Sequence, residues 1–530
     1  MTVTHEPASP ALRGEPASPA LSGEPASPAL SGRIRTQPSR LLQAEVLKPQ
    51  FDYEVRRLLP HYLEIEKALL AEYLRLGLIQ PADAALIAGL LDQINARTLI
   101  ADPKANMSDI ALAIERYVES RLPGPVPAWH VDRSRNDYQA AAQLMFGRAE
   151  LARLALELRA FGLSAHRRAL ATVELPMPGQ THFQAAQITS PGFHLAALVE
   201  EVVGSLRRLL AVYDEIDVCP LGAGAMAGQE LDWDCPRLAE LTGFARPLRH
   251  ALVAVASRSW VLRIAGELAL LGVVLSRFAT DFIIWGSSDS GFIDLPDEFS
   301  GLSSAMPQKK NFTILERIRG RTAHLAAYHA DFVLGQRNTP FTNLVEVSKE
   351  AGSGLWPLLQ TTRSVLRLFR AVIDEVRFQA DRLRAAAARE FLGGFTLANL
   401  LTLRAGVPYR QAQVVAGGYI VEAMARGLSP QAPDAALLAE VARGRGYEIS
   451  LSEAELGRVF SVDDGLSAKR TPGSANPRAV RGLLAEQGAD LAFLGREWTA
   501  RRKVLSEARR RLAAILSRTA GETAKDGTNP

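Results

Sequence analysis

Between residues 192 and 211 the apolar side chains Leu195, Leu198, Val199, Val202, Leu206, Leu209 and Leu210 recur at helical spacing and form one stripe. That spacing predicts a helix with a broad buried face. The same period runs through 137–168, 250–285, 312–334 and 345–375, and few alternating, strand-like patterns intervene. Leu, Ala and Arg dominate, aromatics are few and β-branched residues rarely cluster, which also favours helix over sheet. The expected fold class is all-α. Long helices with faces this wide pack as a bundle, and faces too wide for one chain to cover suggest that subunits associate. Gly393-Gly394, Gly417-Gly418 and Pro472-Gly473 punctuate a final block of shorter helices.

Residues 6–32 break the pattern with three copies of a nine-residue unit, Glu-Pro-Ala-Ser-Pro-Ala-Leu-Arg/Ser-Gly. Two prolines and a glycine per unit exclude helix and sheet ladders, and one leucine cannot build a core, so a disordered tail is expected. Its functional alternative is a docking handle for a partner. A chain of 530 residues can bury a large core and exceeds the usual size of one compact unit. The net charge is only +4, with arginines interleaved among acids, so nucleic-acid binding is not indicated. Cys219 and Cys235 lack companions for a zinc site and suit a reducing, cytoplasmic setting. The first residues lack the apolar core of a secretory signal, and the most lipid-like stretch, 268–275, is too short to span a bilayer. A soluble, non-membrane protein is expected.

The densest chemistry lies in Gly301-Leu302-Ser303-Ser304-Ala305-Met306-Pro307-Gln308-Lys309-Lys310-Asn311. Glycine, serines and proline oppose a regular helix and predict a mobile loop closing over a site. Lysine and asparagine can hold an anion there while a serine oxygen sits beside a carbon that is to lose a proton. Lys-Lys alone would read as a solvated loop. Three further segments change that: His130-Val131-Asp132-Arg133-Ser134-Arg135-Asn136-Asp137, Met177-Pro178-Gly179-Gln180-Thr181-His182-Phe183-Gln184, and Pro220-Leu221-Gly222-Ala223-Gly224-Ala225-Met226-Ala227-Gly228.

These four segments, in this order, resemble the motifs of the fumarase/aspartase superfamily, and the Gln-Lys-Lys-Asn ending is most like that of the argininosuccinate lyase family. The likeness runs from about residue 50 to about 490. It implies an all-α, three-domain subunit with a long central helical bundle, a twenty-helix bundle in a homotetramer, whose active sites each draw three segments from three different subunits. The chain is accordingly divided into a tail (1–41), an amino-terminal helical domain (42–136), a central bundle domain with the catalytic loop (137–385), a carboxy-terminal helical domain (386–515) and a second tail (516–530). Leu403-Arg404-Ala405-Gly406-Val407-Pro408-Tyr409-Arg410 looks like part of that carboxy-terminal domain.

By resemblance, Ser303 takes a proton from the CH2 beside a substrate carboxylate, and Lys309 and Asn311 stabilise the charge that accumulates. A serine needs loop amides and cations to act as a base. Ser134, Arg135, Asn136 and Thr181 match residues that hold the succinyl carboxylates, and Gln184 closes the same segment. His182 matches the histidine on the acid side and Glu316 the carboxylate that orients it. Arg258 resembles an arginine in a Ser-x-Arg-Asp segment. The dull rivals are a structural histidine, surface arginines, a turn serine, and a Glu316 that merely pairs with Arg319 or Arg321. The implied reaction is β-elimination of an N-succinyl amine to fumarate and an amine, with no metal or organic cofactor, because Lys and Asn already supply the charge stabilisation.

Departures cluster at the amine end. The family's Thr-Tyr-Asn-Lys-Asp-Leu-Gln-Glu-Asp-Lys becomes Thr339-Pro340-Phe341-Thr342-Asn343-Leu344-Val345-Glu346-Val347-Ser348-Lys349, and its Glu-Asp-Ile-His-Thr-Ala-Asn-Glu becomes Ser108-Asp109-Ile110-Ala111-Leu112-Ala113-Ile114-Glu115. Residues matching the fumarate end survive, whereas those for the amine end turn mostly apolar, at a cost in discrimination. The expected function is a fumarate-releasing C–N lyase whose amine is not arginine. The alternatives are argininosuccinate lyase proper and a catalytically silent structural homologue.

Overall fold

The computed structural model describes residues 36–526, so the nine-residue repeats lie outside the described residues. The chain separates into two compact units.

The smaller unit comprises the described residues up to Leu59 together with Leu90–Pro125. Its helix Lys48–Arg57 packs on the helix Ile110–Glu119. Asp109 caps the second helix by accepting from the amides of Ala111 and Leu112. Ala111 and Ile114, which stand where the family carries His and Asn, are buried on that helix. At these two positions the turn to apolar residues serves packing.

The larger unit, Pro60–Gly89 and the described residues from Val126 onward, holds the bundle. Its long helices are α1 (Arg135–Ala171), α2 (Pro191–Ile216), α3 (Ser259–Trp285), α4 (Thr313–Gln336), α5 (Leu355–Glu375) and α6 (Pro477–Asp526). α1 packs on α2, α5 and α6, and α3 packs on α2 and α4. The predicted stripe on α2 is the buried face, with Val203 and Ser205 added and Leu210 only half-buried. A separate apolar cluster, built from Leu397, Leu401, Val415, Tyr419, Leu437 and Phe460 among others, forms the core of the shorter helices after residue 390.

Three differences from the sequence reading have local causes. The helix expected over 250–285 breaks at Ser257-Arg258 into Ala251–Ala256 and α3. The Arg258 guanidinium donates to the carbonyls of Val255 and Ser257 and so competes with the helical ladder. The helix expected from 345 begins as a π turn over Glu346–Glu350, and α5 starts only after Gly352 and Gly354. The last helix continues to Asp526, through positions read as a tail from 516. Among the described residues α3 alone is long and apolar enough to cross a membrane, by length and composition. In the bundle, Glu267 on α3 accepts from Ser205 and Arg208 of α2.

The motif at 177–184 folds as an antiparallel hairpin of β1 (Met177–Thr181) and β2 (Gln184–Thr189). The loop at 301–311 is tied at its base as a second ribbon, β3 (Gly301–Leu302) paired with β4 (Lys310–Asn311).

Candidate active site

Ser134 caps α1, its hydroxyl accepting from the Asn136 amide. Arg135 is the first helical residue and is exposed, while the Asn136 side chain donates to the Ala225 carbonyl at 2.8 Å. What fixes this corner is a set of acids to which the sequence reading gave no role. The Asp137 carboxylate accepts from the amides of Gly222 (3.2 Å) and Gly224 (2.9 Å). Burial pushes Asp137 up to about 7 despite those bonds. Asp132 accepts from the amides of Glu230 and Leu231 and from the Trp233 indole. Glu66, 1% exposed, takes both His130 and Arg133. Burial by itself would raise Glu66, but Arg133 and His130 outweigh it and hold the carboxyl at about 2. His130 and Asp132 both lie in the left-handed backbone region, at φ 71° and 57°, which shapes the approach to Ser134.

The glycines of 220–228 explain why that segment is a motif without carrying a reactive group. Gly224 has φ +57°, and a Cβ there would lie 2.4 Å from the Gly228 carbonyl oxygen. Gly224→Ala is therefore expected to destabilise the protein by about 1–3 kcal/mol, read as a lowered denaturation midpoint. An unchanged midpoint would show that the turn relaxes freely.

At the hairpin tip Thr181 pairs with Gln184, and His182 and Phe183 make the turn with φ of 54° and 60°. Two positive φ values in a two-residue loop favour glycine and asparagine. Here the positions hold an imidazole and a phenyl ring that is 78% exposed. Thr181, His182 and Gln184 are all exposed.

The Ser303 hydroxyl accepts from the Met306 amide at 3.1 Å, inside its own turn. Lys310 ties the ribbon down through Asp294 and Asp297, at 3.0 Å each, leaving the adjacent Lys309 as the exposed cation. Asn311 ends β4, and Glu316 stands exposed in the first turn of α4, where the helix dipole favours an anion. Arg258 differs from all of these. It is 4% exposed, and burial lowers it to about 10. Besides its two carbonyl partners it donates to Asn343 at 3.5 Å, so it ties α3 to the altered 339–349 segment.

The single chain thus presents three surface segments: Ser134–Asn136, where Arg135 is exposed and its neighbours half-buried, the exposed Thr181–Gln184, and Ser303–Asn311 with Glu316, where Lys309 and Glu316 are exposed and Ser303 and Asn311 half-buried. The chain draws Asn136 to the 220–228 turn, and it sets Ser303, Lys309 and Asn311 on one ribbon. A cavity of about 570 Å3 beside the hairpin is lined in part by Thr181 but not by His182 or Ser303. Exposed apolar residues flank the three segments: Phe183, Met226, Leu302 and Met306. Among the described residues no group of three or more His, Cys, Asp or Glu is gathered as metal ligands would be.

Comparison with known proteins supplies the context. A family described as Lyase matches residues 93–325. The argininosuccinate lyase of Moorella thermoacetica is 33% identical over 67% of this chain and 76% of its own. That of Methanothermobacter thermautotrophicus is 28% identical over 77% of this chain and 88% of its own. Among solved structures, an EDDS lyase in complex with formate superposes with a TM-score of 0.80 at 21% identity, covering 91% of this chain and 96% of that one. A class II fumarase from Schistosoma mansoni gives 0.63 at 16% identity, covering 77% and 90%. Fold and sequence together define the class, a lyase built on the fumarase/aspartase architecture. Within that class, the chain belongs to the argininosuccinate lyase family.

Proposed function

We propose that the protein is a C–N lyase that cleaves an N-succinyl amine by β-elimination to fumarate and an amine other than arginine. The observation that carries the reading is the Ser303–Asn311 ribbon, where a serine, an exposed lysine and an asparagine share one pinned turn. Ser303 removes the proton from the CH2 beside a carboxylate, and Lys309 and Asn311 stabilise the charge that builds on that carboxylate. The electron pair moves toward the neighbouring carbon, the C–N bond breaks, and His182, charged and oriented by Glu316, protonates the departing nitrogen. Ser134, Arg135, Asn136, Thr181 and Gln184 hold the carboxylates. Arg258, buried away from solvent, acts by positioning the Asn343 segment.

Three surface segments on one chain, each with an exposed polar side chain, support assembly of the site from several subunits of a homotetramer. Exposed Leu270 and Val273 on α3 and Val333 and Leu334 on α4 are apolar surface suited to burial between copies. A variant of the same EDDS lyase has been solved with bound fumarate, which is consistent with fumarate as the shared product. The amine assignment rests on Phe341 and Val345, apolar and 61% and 62% exposed where the family has polar substrate contacts. Argininosuccinate is the second reading, favoured by relatives that carry that name. The purified protein incubated with fumarate and a panel of amines should form adducts with apolar amines at rates at least about tenfold above arginine, since a lost polar contact discriminates by that much or more. Fumarate release from argininosuccinate at the fastest rate in the panel would overturn the amine assignment, and no adduct with any amine would favour a silent homologue.

A further inference from the structure

Apart from Thr181, the cavity beside the hairpin has chemistry that the proposed elimination does not use. Its walls come from both strands of β1–β2, from the start of α2 (Phe193, His194), from the end of α3 (Asp281, Trp285) and from the 469–475 segment that precedes α6. A volume of about 570 Å3 falls in the range of small-molecule sites, roughly 300–1,000 Å3.

One side is polar. The Lys469 ammonium donates to the Ile188 carbonyl at 2.9 Å and to that of Gly465. Both partners are neutral, and one of its three N–H groups is left over. Burial holds this ammonium below the ordinary lysine range. Thr189 Oγ1 and Ser474 Oγ line the same cavity, are buried, and make no hydrogen bond among the described residues. Buried hydroxyls without partners are uncommon and call for an explanation. The other side is apolar. Trp285 is fixed against Phe282 and the His194 ring, with Phe193, Ile188 and Ala475 nearby. On that side His194 Nε2 lies 3.1 Å from the Asp281 carboxylate.

We propose that this cavity is a binding site for a small aromatic monocarboxylate, its carboxylate held by Lys469, Ser474 and Thr189 and its ring laid against Trp285 and Phe193. One cation and two hydroxyls suit a single negative charge. A phosphate or dicarboxylate would leave charge unmatched against the apolar wall. The ligand would also touch Gly179–Thr181, the strand that leads into His182, so the site shares Thr181 with the hairpin tip but not His182 or Gln184. The inference goes beyond the proposed elimination and is tested by binding, whatever reaction the protein performs.

Phenylacetate titrated into the full-length protein by calorimetry should bind saturably at one site per chain. Phenylacetamide, its neutral counterpart, should bind about tenfold more weakly or worse, as should phenylacetate to Lys469→Met, because each loses a charge-assisted contact. Lys469 also tethers two backbone carbonyls, so Ser474→Ala provides an arm that leaves those tethers intact. It should weaken phenylacetate by about threefold to tenfold and phenylacetamide by less. Binding should persist in saturating fumarate. Absence of saturable heat up to roughly 10 mM, unchanged affinity in both variants, or displacement by fumarate would each overturn the proposal.

Discussion

Ser303→Ala is expected to lower turnover by roughly 10²–10⁴-fold, the range that positioned proton transfer contributes, while leaving fold and association unchanged. The reason lies in how little else this hydroxyl does. It accepts one hydrogen bond from the Met306 amide within a surface turn, and losing such a bond costs about 1 kcal/mol at most in a solvated loop. The ribbon is held from elsewhere, by pairing of Gly301 with Asn311 and by Lys310 on Asp294 and Asp297. A structural serine would show the opposite pattern, with stability and activity falling together. The measurement is the ultraviolet absorbance of fumarate, alongside a melting curve and sedimentation. A variant that kept near-full rate would place the base on another group.

Glu66→Ala is expected to cost about 3–5 kcal/mol of folding stability, the usual penalty for stranding buried partners of a removed charge. Arg133 and His130 are both nearly buried and both lean on Glu66. With the carboxylate gone, the Arg133 guanidinium and the His130 ring each lose their Glu66 contact, next to the turn that delivers Ser134. The pH dependence has a definite sign. Glu66 sits at about 2 in the folded protein, below its ordinary value of 4.5. Its contribution is therefore fully present above pH 4.5 and is lost as the pH falls toward 2. Denaturant midpoints measured between pH 6 and pH 3 should fall in the wild type and fall less steeply in Glu66→Ala. Parallel slopes would mean that the pair adds no pH-linked stability.

Much of the scaffold was legible from spacing alone, because the apolar period of α1, α2 and α4 is set by burial on neighbouring helices. The break at Ser257-Arg258 was not, since it depends on where one guanidinium finds its carbonyls. The hairpin at 177–189 was quoted as a polar motif and not read as strands. Its tip is His-Phe, where Asn-Gly would have announced a two-residue turn. Asp137 stood in a quoted motif without a role because its partners, Gly222 and Gly224, lie 85 and 87 residues on. Glu66 lay outside every motif, and only the fold brings it to Arg133. At Ala111 and Ile114 the sequence showed a departure from the family but not its meaning, which is burial. Resemblance proposed the reactive groups; geometry identified the acids that fix the 130–137 and 222–233 segments.

The turn at His182 and Phe183 has a bearing on any attempt to make this protein hardier. Both residues sit in a conformation that glycine or asparagine adopts at lower cost. A selection that rewarded heat resistance alone would drift toward those two residues and discard the imidazole on the way. Under the proposed mechanism robustness and chemistry are set against each other at one dipeptide, so a screen for durable variants has to score both.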